Sequence, residues 1–174
     1  MTDALRFPVG EFSWTAPIDP AQREPAIADV AALPARIREA VAGLHDSHLD
    51  TPYRPGGWTV RQVVHHLADS HANAFVRMKL ALTEERPGIK PYDQESWATL
   101  ADMKMPVDGS LAILDGLHAR WTTLYRAMSQ AQFARTFNHP EIGVISLDQQ
   151  LRQYAWHSRH HVAHITELRK RERW

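Results

Sequence analysis

SLDQQLRQYAWHSRHHVAHITELRKR, residues 146–171, is the stretch that most strongly predicts a fold for this chain. Ser146 and Gln149 have the spacing of a capping box. In that motif the serine side chain accepts from the third helical N–H, and the glutamine side chain accepts from the backbone N–H of the serine. The basic run at the other end suits a helix C-terminus, because the helix dipole is negative there. Each residue of a helix turns about 100° around its axis, which puts the apolar residues on one arc. This arc comprises Leu151, Tyr154, Val162, Ile165 and Leu168. The stretch therefore predicts one amphipathic helix from Leu147 to about Arg171.

Two His-x-x-x-His pairs lie on this predicted helix, and they are His157 with His161 and His160 with His164. Four residues make about one helical turn, so each pair points two imidazoles the same way. Such a pair can share a metal ion at about 2.0–2.1 Å from each nitrogen. His161 falls within the apolar arc and His157 at its edge, whereas His160 and His164 lie toward solvent or a subunit contact. The first pair is therefore the predicted metal site.

A third ligand has to come from another helix, because two ligands hold a metal weakly. The stretch GGWTVRQVVHHLADSH (56–71) offers His65, His66 and His71. His65 and His66 flank the apolar centre of this helix about equally, and His71 lies near its middle. Periodicity therefore leaves all three histidines open as the third ligand.

Three further helices complete the predicted fold. Apolar residues recur at helical spacing over 26–44, where Pro34 should bend or split the helix, and over 110–128, which Ser110 should cap. Thr59 and Gln62 form a second capping box, which opens a helix over 60–85. Four apolar stripes are buried most simply in a four-helix bundle.

The loops after the second and third long helices are long, so one or more crossover connections are predicted, together with short accessory helices. Asp93 can cap a short helix ending near Met103, and residues 133–145 suit a hairpin or an irregular crossover. Residues 1–23, rich in Pro, Gly and isolated aromatic residues, predict an extended N-terminal arm. We expect an all-α protein whose residues 1–174 form a single domain, since 174 residues suit one domain.

Composition excludes several classes of function. The chain has 20 basic and 20 acidic residues, so it lacks the basic excess of a nucleic-acid-binding protein. It has no cysteine, which excludes disulfides, thiolate ligands and a catalytic cysteine. No signal peptide and no apolar run of about 20 residues can be recognised, so we expect a cytoplasmic protein with no membrane partner.

Histidine is the residue that composition singles out. The chain has eleven histidines, and seven of them lie in two clusters at 65–71 and 157–164. Two clusters on separate helices of a cysteine-free chain favour a metal site over incidental histidines. The His-Glu-x-x-His, Gly-x-Ser-x-Gly and phosphate-loop motifs are absent from the sequence, so those catalytic classes are not indicated.

Other polar and aromatic residues are less informative in the sequence. Four side chains are conceivable as a general base, and spacing favours none of them: His160, Asp69, Tyr154 and Asp93. Three tryptophans are predicted to pack in the core: Trp58, Trp121 and Trp156. His118 and His139 stand alone in the sequence and are interpreted as structural.

Long segments of the sequence resemble the YfiT-type branch of the DinB-like superfamily. The resemblance is carried by GGWTVRQVVHHLADSH (56–71), KLALTEERPGIKPYD (79–93) and YAWHSRHHVAHITEL (154–168). The opening LRFPVGEF (5–12) and the central LHARWTTL (117–124) are also similar, so it covers nearly the whole chain. Proteins of this family are bacterial and commonly labelled metal-dependent hydrolases.

The resemblance implies a four-helix bundle and a ligand set of three histidines. By position, the family ligands correspond to His66, His157 and His161, and the implied ion is zinc or, as a second choice, nickel. The family pattern thus agrees with the periodicity on the last helix and selects His66 on the earlier one. The resemblance also implies a homodimer.

Three imidazole ligands leave a coordination position open, as in catalytic rather than structural zinc sites. We therefore expect one divalent metal per chain, which activates water to hydrolyse a small-molecule substrate. The resemblance also allows a thiol S-transferase that activates a low-molecular-weight thiol at the same metal. A metal-binding dimeric module without turnover is a further alternative, and it predicts a fourth protein ligand. The substrate, the general base and the roles of His65, His71, His160 and His164 are not predicted.

Overall fold

The computed structural model describes residues 2–14 and 19–174, so residues 1 and 15–18 of the expected N-terminal arm lie outside the described residues. Four long helices dominate: α2 (Arg23–Val41), α4 (Val60–Thr83), α6 (Asp108–Ala127) and α8 (Leu147–Glu172). Four short helices accompany them: α1 (Thr2–Arg6), α3 (Asp46–Leu49), α5 (Gln94–Trp97) and α7 (Gln130–Phe133). 3₁₀ turns span Pro20–Gln22 and Ala101–Lys104. The predicted helical bundle is confirmed.

The long helices do not follow chain order around the bundle. α2 packs against α6 and α8, and α4 packs against the same two helices, so α2 and α4 lie diagonally across the core. The connections 42–59 and 128–146 therefore cross the bundle, whereas 84–107 joins neighbouring helices. The sequence predicted long loops after α4 and α6, but loop length alone did not reveal that the first connection also crosses.

A two-stranded hairpin lies within the second crossing connection. β1 (Thr136–His139) pairs antiparallel with β2 (Gly143–Ser146). Gly143 has φ +91°, a left-handed conformation that glycine adopts without strain. The hairpin alternative predicted for 133–145 is therefore the correct one.

Capping explains where two of the long helices begin. The Thr59 hydroxyl accepts from the Gln62 N–H at 3.1 Å, and the Gln62 side chain accepts from the Thr59 N–H at 2.9 Å. Ser146 and Gln149 repeat this arrangement at the start of α8. Both predicted capping boxes are confirmed, because this local chemistry depends only on residues three positions apart.

Two predicted helix boundaries are wrong. Ser110 does not cap α6, which begins at Asp108, and its hydroxyl instead lies 2.7 Å from His65 Nδ1. Asp93 does cap a helix, accepting from the Glu95 and Ser96 N–H groups, but that helix ends at Trp97.

Pro34 does not split α2, which continues from Arg23 to Val41. A proline has no N–H, so it cannot donate to the carbonyl four residues earlier, that of Val30. His118 on the neighbouring α6 lies with Nδ1 2.6 Å from that carbonyl oxygen. A tertiary hydrogen bond thus replaces the missing helical one, and the helix remains continuous.

The N-terminal arm differs from the extended segment that was expected, since residues 2–6 form α1. The arm lies against α8, where Trp156 Nε1 donates to the Gly10 carbonyl at 2.9 Å. The Phe7 ring also lies 6.0 Å from that of His160. Within the described residues, no helix combines the length and apolar character needed to cross a bilayer.

Two adjacent residues of α6 allow a direct test of this packing. Leu114 is fully buried, whereas Ile113 is 53% exposed. We expect Leu114→Ala to lower the free energy of unfolding by about 2–5 kcal/mol, because it leaves a cavity in the core. Ile113→Ala should change it by less than about 0.5 kcal/mol. Urea denaturation of both variants measures this, and equal losses would contradict the described orientation of α6.

Candidate metal centre

Three imidazole nitrogens converge between α4 and α8. His157 Nε2 lies 3.3 Å from His66 Nε2 and 3.1 Å from His161 Nε2. One ligand atom from each of the three residues falls within 4.8 Å of the others, which identifies the group as able to hold a metal ion. His66 and His161 are buried, and His157 is partly exposed.

The spacing of these nitrogens fits a tetrahedral ion. Zinc–nitrogen bonds of about 2.0–2.1 Å at tetrahedral angles place the two nitrogens of a pair about 3.3 Å apart. The separations of 3.1 and 3.3 Å agree with that geometry without movement of the helices. All three donors are imidazoles, a donor type suited to zinc, copper, iron and nickel.

Burial keeps the three rings in the form that binds metals. Desolvation, with a smaller contribution from His164, lowers the pKa of His66 to about 3. Desolvation also lowers the pKa values of His157 and His161 well below the usual range, with neighbouring histidines adding to the effect. Neutral imidazole presents a free lone pair, so the group is poised for ligation at neutral pH.

The helix packing separates the three histidines of α4, which periodicity could not do. His65 faces α6, where its ring nitrogens lie 2.7 Å from Ser110 Oγ and 3.0 Å from the Met105 carbonyl oxygen. His66 faces α8 and joins the cluster. His71 lies behind it, with Nε2 3.0 Å from His157 Nδ1. Of the three candidates, only His66 directs a ring nitrogen to the point of convergence.

The helical wheel placed His160 and His164 toward solvent or a subunit contact, but the chain itself covers them, and they are only 7% and 3% exposed. The N-terminal arm covers them, since His164 Nε2 lies 3.0 Å from the Arg6 carbonyl oxygen. Tyr53 also stacks on His164 with ring centroids 3.8 Å apart. Both covering segments are distant in sequence from α8, so the periodicity of one helix could not reveal them.

The turn 53–58 forms one wall of a cavity beside the three nitrogens. The Trp58 ring lies 4.5 Å from that of His66, and Trp58 Nε1 donates to Glu95 at 3.2 Å. Gly57 permits this close fold, because a Cβ there would lie 2.7 Å from Arg54 Cγ. Gly56 has φ +68°, which favours glycine.

Two of the three tryptophans predicted in the core line this cavity, and one of them, Trp58, also packs against the core. Trp58 and Trp156 are half-buried at its walls, and only Trp121 is fully buried in the core. An aromatic residue at helical spacing serves either purpose, so the sequence offered no means of distinguishing them.

The cavity has a volume of about 290 Å³ and is lined by both charged and aromatic groups. Arg6 and Arg54 line it, and neither forms an ion pair with a carboxylate in the described part of the chain. Glu95 is the carboxylate among the lining residues. None of these three residues was predicted from the sequence: Arg6 and Arg54 adjoin the cavity residues Phe7 and Tyr53, whereas Glu95 is close in sequence to none of its aromatic residues.

Of the four conceivable general bases, His160 lines the cavity. Its Nδ1 is buried without a hydrogen-bond partner among the described residues. Asp93 is used as a helix cap, and the Tyr154 hydroxyl donates to the Ser70 carbonyl at 3.3 Å. Asp69 is absent from the cavity lining.

The buried histidines make the metal-free protein sensitive to acid. Burial lowers the pKa values of His66 and His160 to about 3, and those of His118 and His164 to about 4. The unfolded chain, with histidine pKa values of about 6.5, therefore binds more protons than the folded chain below that pH. We expect the free energy of unfolding to fall as the pH drops from about 6.5 toward 4.

Urea denaturation of chelator-treated protein between pH 7.5 and 4.5 measures this dependence. His164→Gln removes one such group, so its stability should decline less steeply with acid. A wild-type stability that is constant or rises between pH 7 and 5 would contradict the expectation.

Comparisons with known proteins agree with the fold. A family profile described as the DinB superfamily matches residues 29–165. Two Bacillus cereus proteins, from strains B4264 and G9842, are each 51% identical over 170 residues, covering 98% of both chains, and are provisionally named metal-dependent hydrolases.

A solved structure also matches almost the whole chain. YfiT from Bacillus subtilis, described as a probable metal-dependent hydrolase with an unusual four-helix bundle topology, gives a TM-score of 0.94 at 50% identity. The match covers 98% of this chain and 99% of that one. The resemblance drawn from the sequence is thereby confirmed, and the chain belongs to the DinB superfamily.

Proposed function

We propose that this protein is a metal-dependent hydrolase that holds one divalent ion through His66, His157 and His161. The observation that carries the proposal is the convergence of three Nε2 atoms, with His157 Nε2 at separations from the other two that fit tetrahedral ligation. The names of the relatives support the same class of activity. Zinc is the first choice of ion and nickel the second, because both accept imidazole ligands.

When bound, the ion supplies Lewis acidity, which lowers the pKa of a water toward about 7 and can equally stabilise a thiolate. An ion held by these three histidines would leave a position for substrate or water, and the cavity lies beside the histidines. Trp58 and Trp156 would form aromatic walls beside that position. Glu95, held by Trp58 Nε1, places a carboxylate at the same cavity, where it can accept or return a proton.

The charges of the cavity favour a small anionic substrate. Arg6 and Arg54 contribute two guanidinium groups that lack carboxylate partners among the described residues, and guanidinium pairs well with carboxylate or phosphate. A volume of about 290 Å³ limits the enclosed part of the substrate to a small molecule. We therefore propose a substrate with a carboxylate or phosphate attached to an apolar part that packs on the tryptophans.

A thiol S-transferase is the second candidate function. The same two arginines suit an anionic low-molecular-weight thiol, and the cysteine-free chain would leave the supply of sulfur to that substrate. A homodimer in the cytoplasm, as the resemblance implied, is proposed as the form in which the protein works. Light scattering of the purified protein tests the dimer.

Metal binding is the first test. Purified protein loaded with zinc should contain one ion per chain by elemental analysis, and His66→Ala or His161→Ala should weaken binding by more than about 100-fold, since each removes a direct ligand. His45→Ala changes an exposed histidine outside the site and serves as the control. Tight binding that survives both ligand variants would refute the proposed site.

Substrate charge is the second test. We expect Arg54→Ala to raise KM about tenfold for a carboxylate-bearing ester, equivalent to about 1.4 kcal/mol, and to leave a neutral ester unaffected. Arg36→Ala, on an exposed face of α2, is the control. A parallel assay with an electrophile and an anionic thiol distinguishes hydrolysis from thiol transfer by its product. Equal effects of Arg54→Ala on both esters would rule out the anionic substrate.

A further inference from the structure

We infer that His71, His118 and His164 are positioning residues that fix which nitrogen of His157 and His161 faces the metal. They form two hydrogen-bond chains, each beginning at a backbone carbonyl and ending at the Nδ1–H of one ligand. The inference rests on the proposed metal site. It assigns a role to buried histidines that the metal site itself leaves unexplained.

The first chain begins where Pro34 leaves a carbonyl without its helical donor. The Val30 oxygen can only accept, so His118 Nδ1, 2.6 Å away, carries the proton and donates. His118 is 1% exposed and its ring is neutral, because burial disfavours the charged form. A neutral ring has one N–H, so His118 Nε2 is left as an acceptor.

The hydrogen bonds from His118 through His71 fix the tautomer of the ligand His157 in the same way. His71 Nδ1 lies 2.9 Å from His118 Nε2 and must donate to it, which leaves His71 Nε2 as an acceptor. His157 Nδ1, 3.0 Å from His71 Nε2, must then donate as well. His157 Nε2 consequently keeps its lone pair, and this is the nitrogen that faces His66 and His161.

The second chain reaches the other ligand of α8 from the N-terminal arm. The Arg6 carbonyl accepts from His164 Nε2 at 3.0 Å, so His164 Nδ1 is an acceptor. His161 Nδ1 lies 3.3 Å from it and donates, which frees His161 Nε2 for the metal. Both ligands of α8 are thus held in the same tautomer by separate anchors on α2 and on the arm.

The chemistry of these partners has a consequence for the metal. Metal-bound histidines commonly donate their second N–H to a carboxylate, which makes the ligand more basic. Here the acceptors are neutral imidazoles, so the ring orientation is fixed without adding negative charge. These neutral partners would therefore leave a bound ion more of its Lewis acidity than carboxylate partners would, which suits activation of water or a thiol.

The second chain also accounts for another histidine group. His160, His161 and His164 lie close enough together to hold a metal ion of their own. In the chain described here, His161 Nδ1 and His164 Nδ1 share one proton, so those atoms are already paired. A second ion bound there would break this pairing. The number of ions bound per protein molecule therefore tests the second hydrogen-bond chain.

Tautomers in the wild-type protein provide the direct test. Nitrogen-15 NMR of the histidine rings distinguishes protonated from unprotonated nitrogens, and we expect His157, His161, His71 and His118 to carry the proton on Nδ1 and His164 on Nε2. Metal-free protein at neutral pH is the sample, so the result does not depend on activity or on metal binding. A proton on His157 Nε2 or His71 Nε2 would overturn the first chain. Two tightly bound ions in zinc-loaded protein would overturn the second.

Variants test the effect on the ion. His71→Leu removes the acceptor for His157 and should weaken zinc binding about 10–100-fold in chelator competition, as other second-layer changes do. His65→Leu is the matched control, because His65 is similarly buried on α4 but bonds to Ser110 and Met105 instead. His71→Gln offers one donor and one acceptor and should bind zinc more tightly than His71→Leu.

These outcomes separate the inference from the proposed function. Wild-type protein that binds no zinc would refute the metal site, while the tautomers would still report on the chains. Zinc binding that falls equally in His71→Leu and His65→Leu, with both variants folded by circular dichroism, would overturn the positioning role.

Discussion

The packing of α4 against α8 is the constraint on which the rest of the structure depends, because it brings three imidazoles to one buried point. Desolvation there is costly for a charged ring, so His66, His157 and His161 are held neutral. The Nε2 atom of His157 lies 3.3 and 3.1 Å from those of His66 and His161, so their lone pairs repel, and a cation would relieve that repulsion. This repulsion supports the proposal that the cluster binds a metal ion.

The remainder of the fold supports this arrangement. Two connections cross the bundle so that α4 and α8 become neighbours while α2 and α6 close the other sides. The turn 53–58 and the N-terminal arm then cover the ends of the histidine cluster, and between them they leave a cavity with aromatic walls and two arginines. Pro34 in α2 contributes as well, because it leaves the Val30 carbonyl without a helical donor and that carbonyl accepts a hydrogen bond from His118.

Much of the fold could be predicted because its signals are local. The capping boxes at Thr59 and Ser146, the apolar stripes and the hairpin depend on residues within a few positions of each other. Predictions failed where a distant segment decided the outcome. Ser110 bonds to His65 instead of capping, Pro34 is compensated by another helix, and His160 is buried by the arm.

The sequence by itself determined the four amphipathic helices, the absence of thiolate chemistry and the one-turn spacing of His157 and His161. With the resemblance to a known family, it also selected His66, although the role of the three as ligands is still a prediction. Only the tertiary structure decided which way His65, His66 and His71 point. It also decided that the N-terminal arm covers His160 and His164, and that Arg6, Arg54 and Trp58 line one cavity. The physical reason is that periodicity describes the environment of one helix, whereas a binding site is the meeting of several segments whose packing no single stretch encodes.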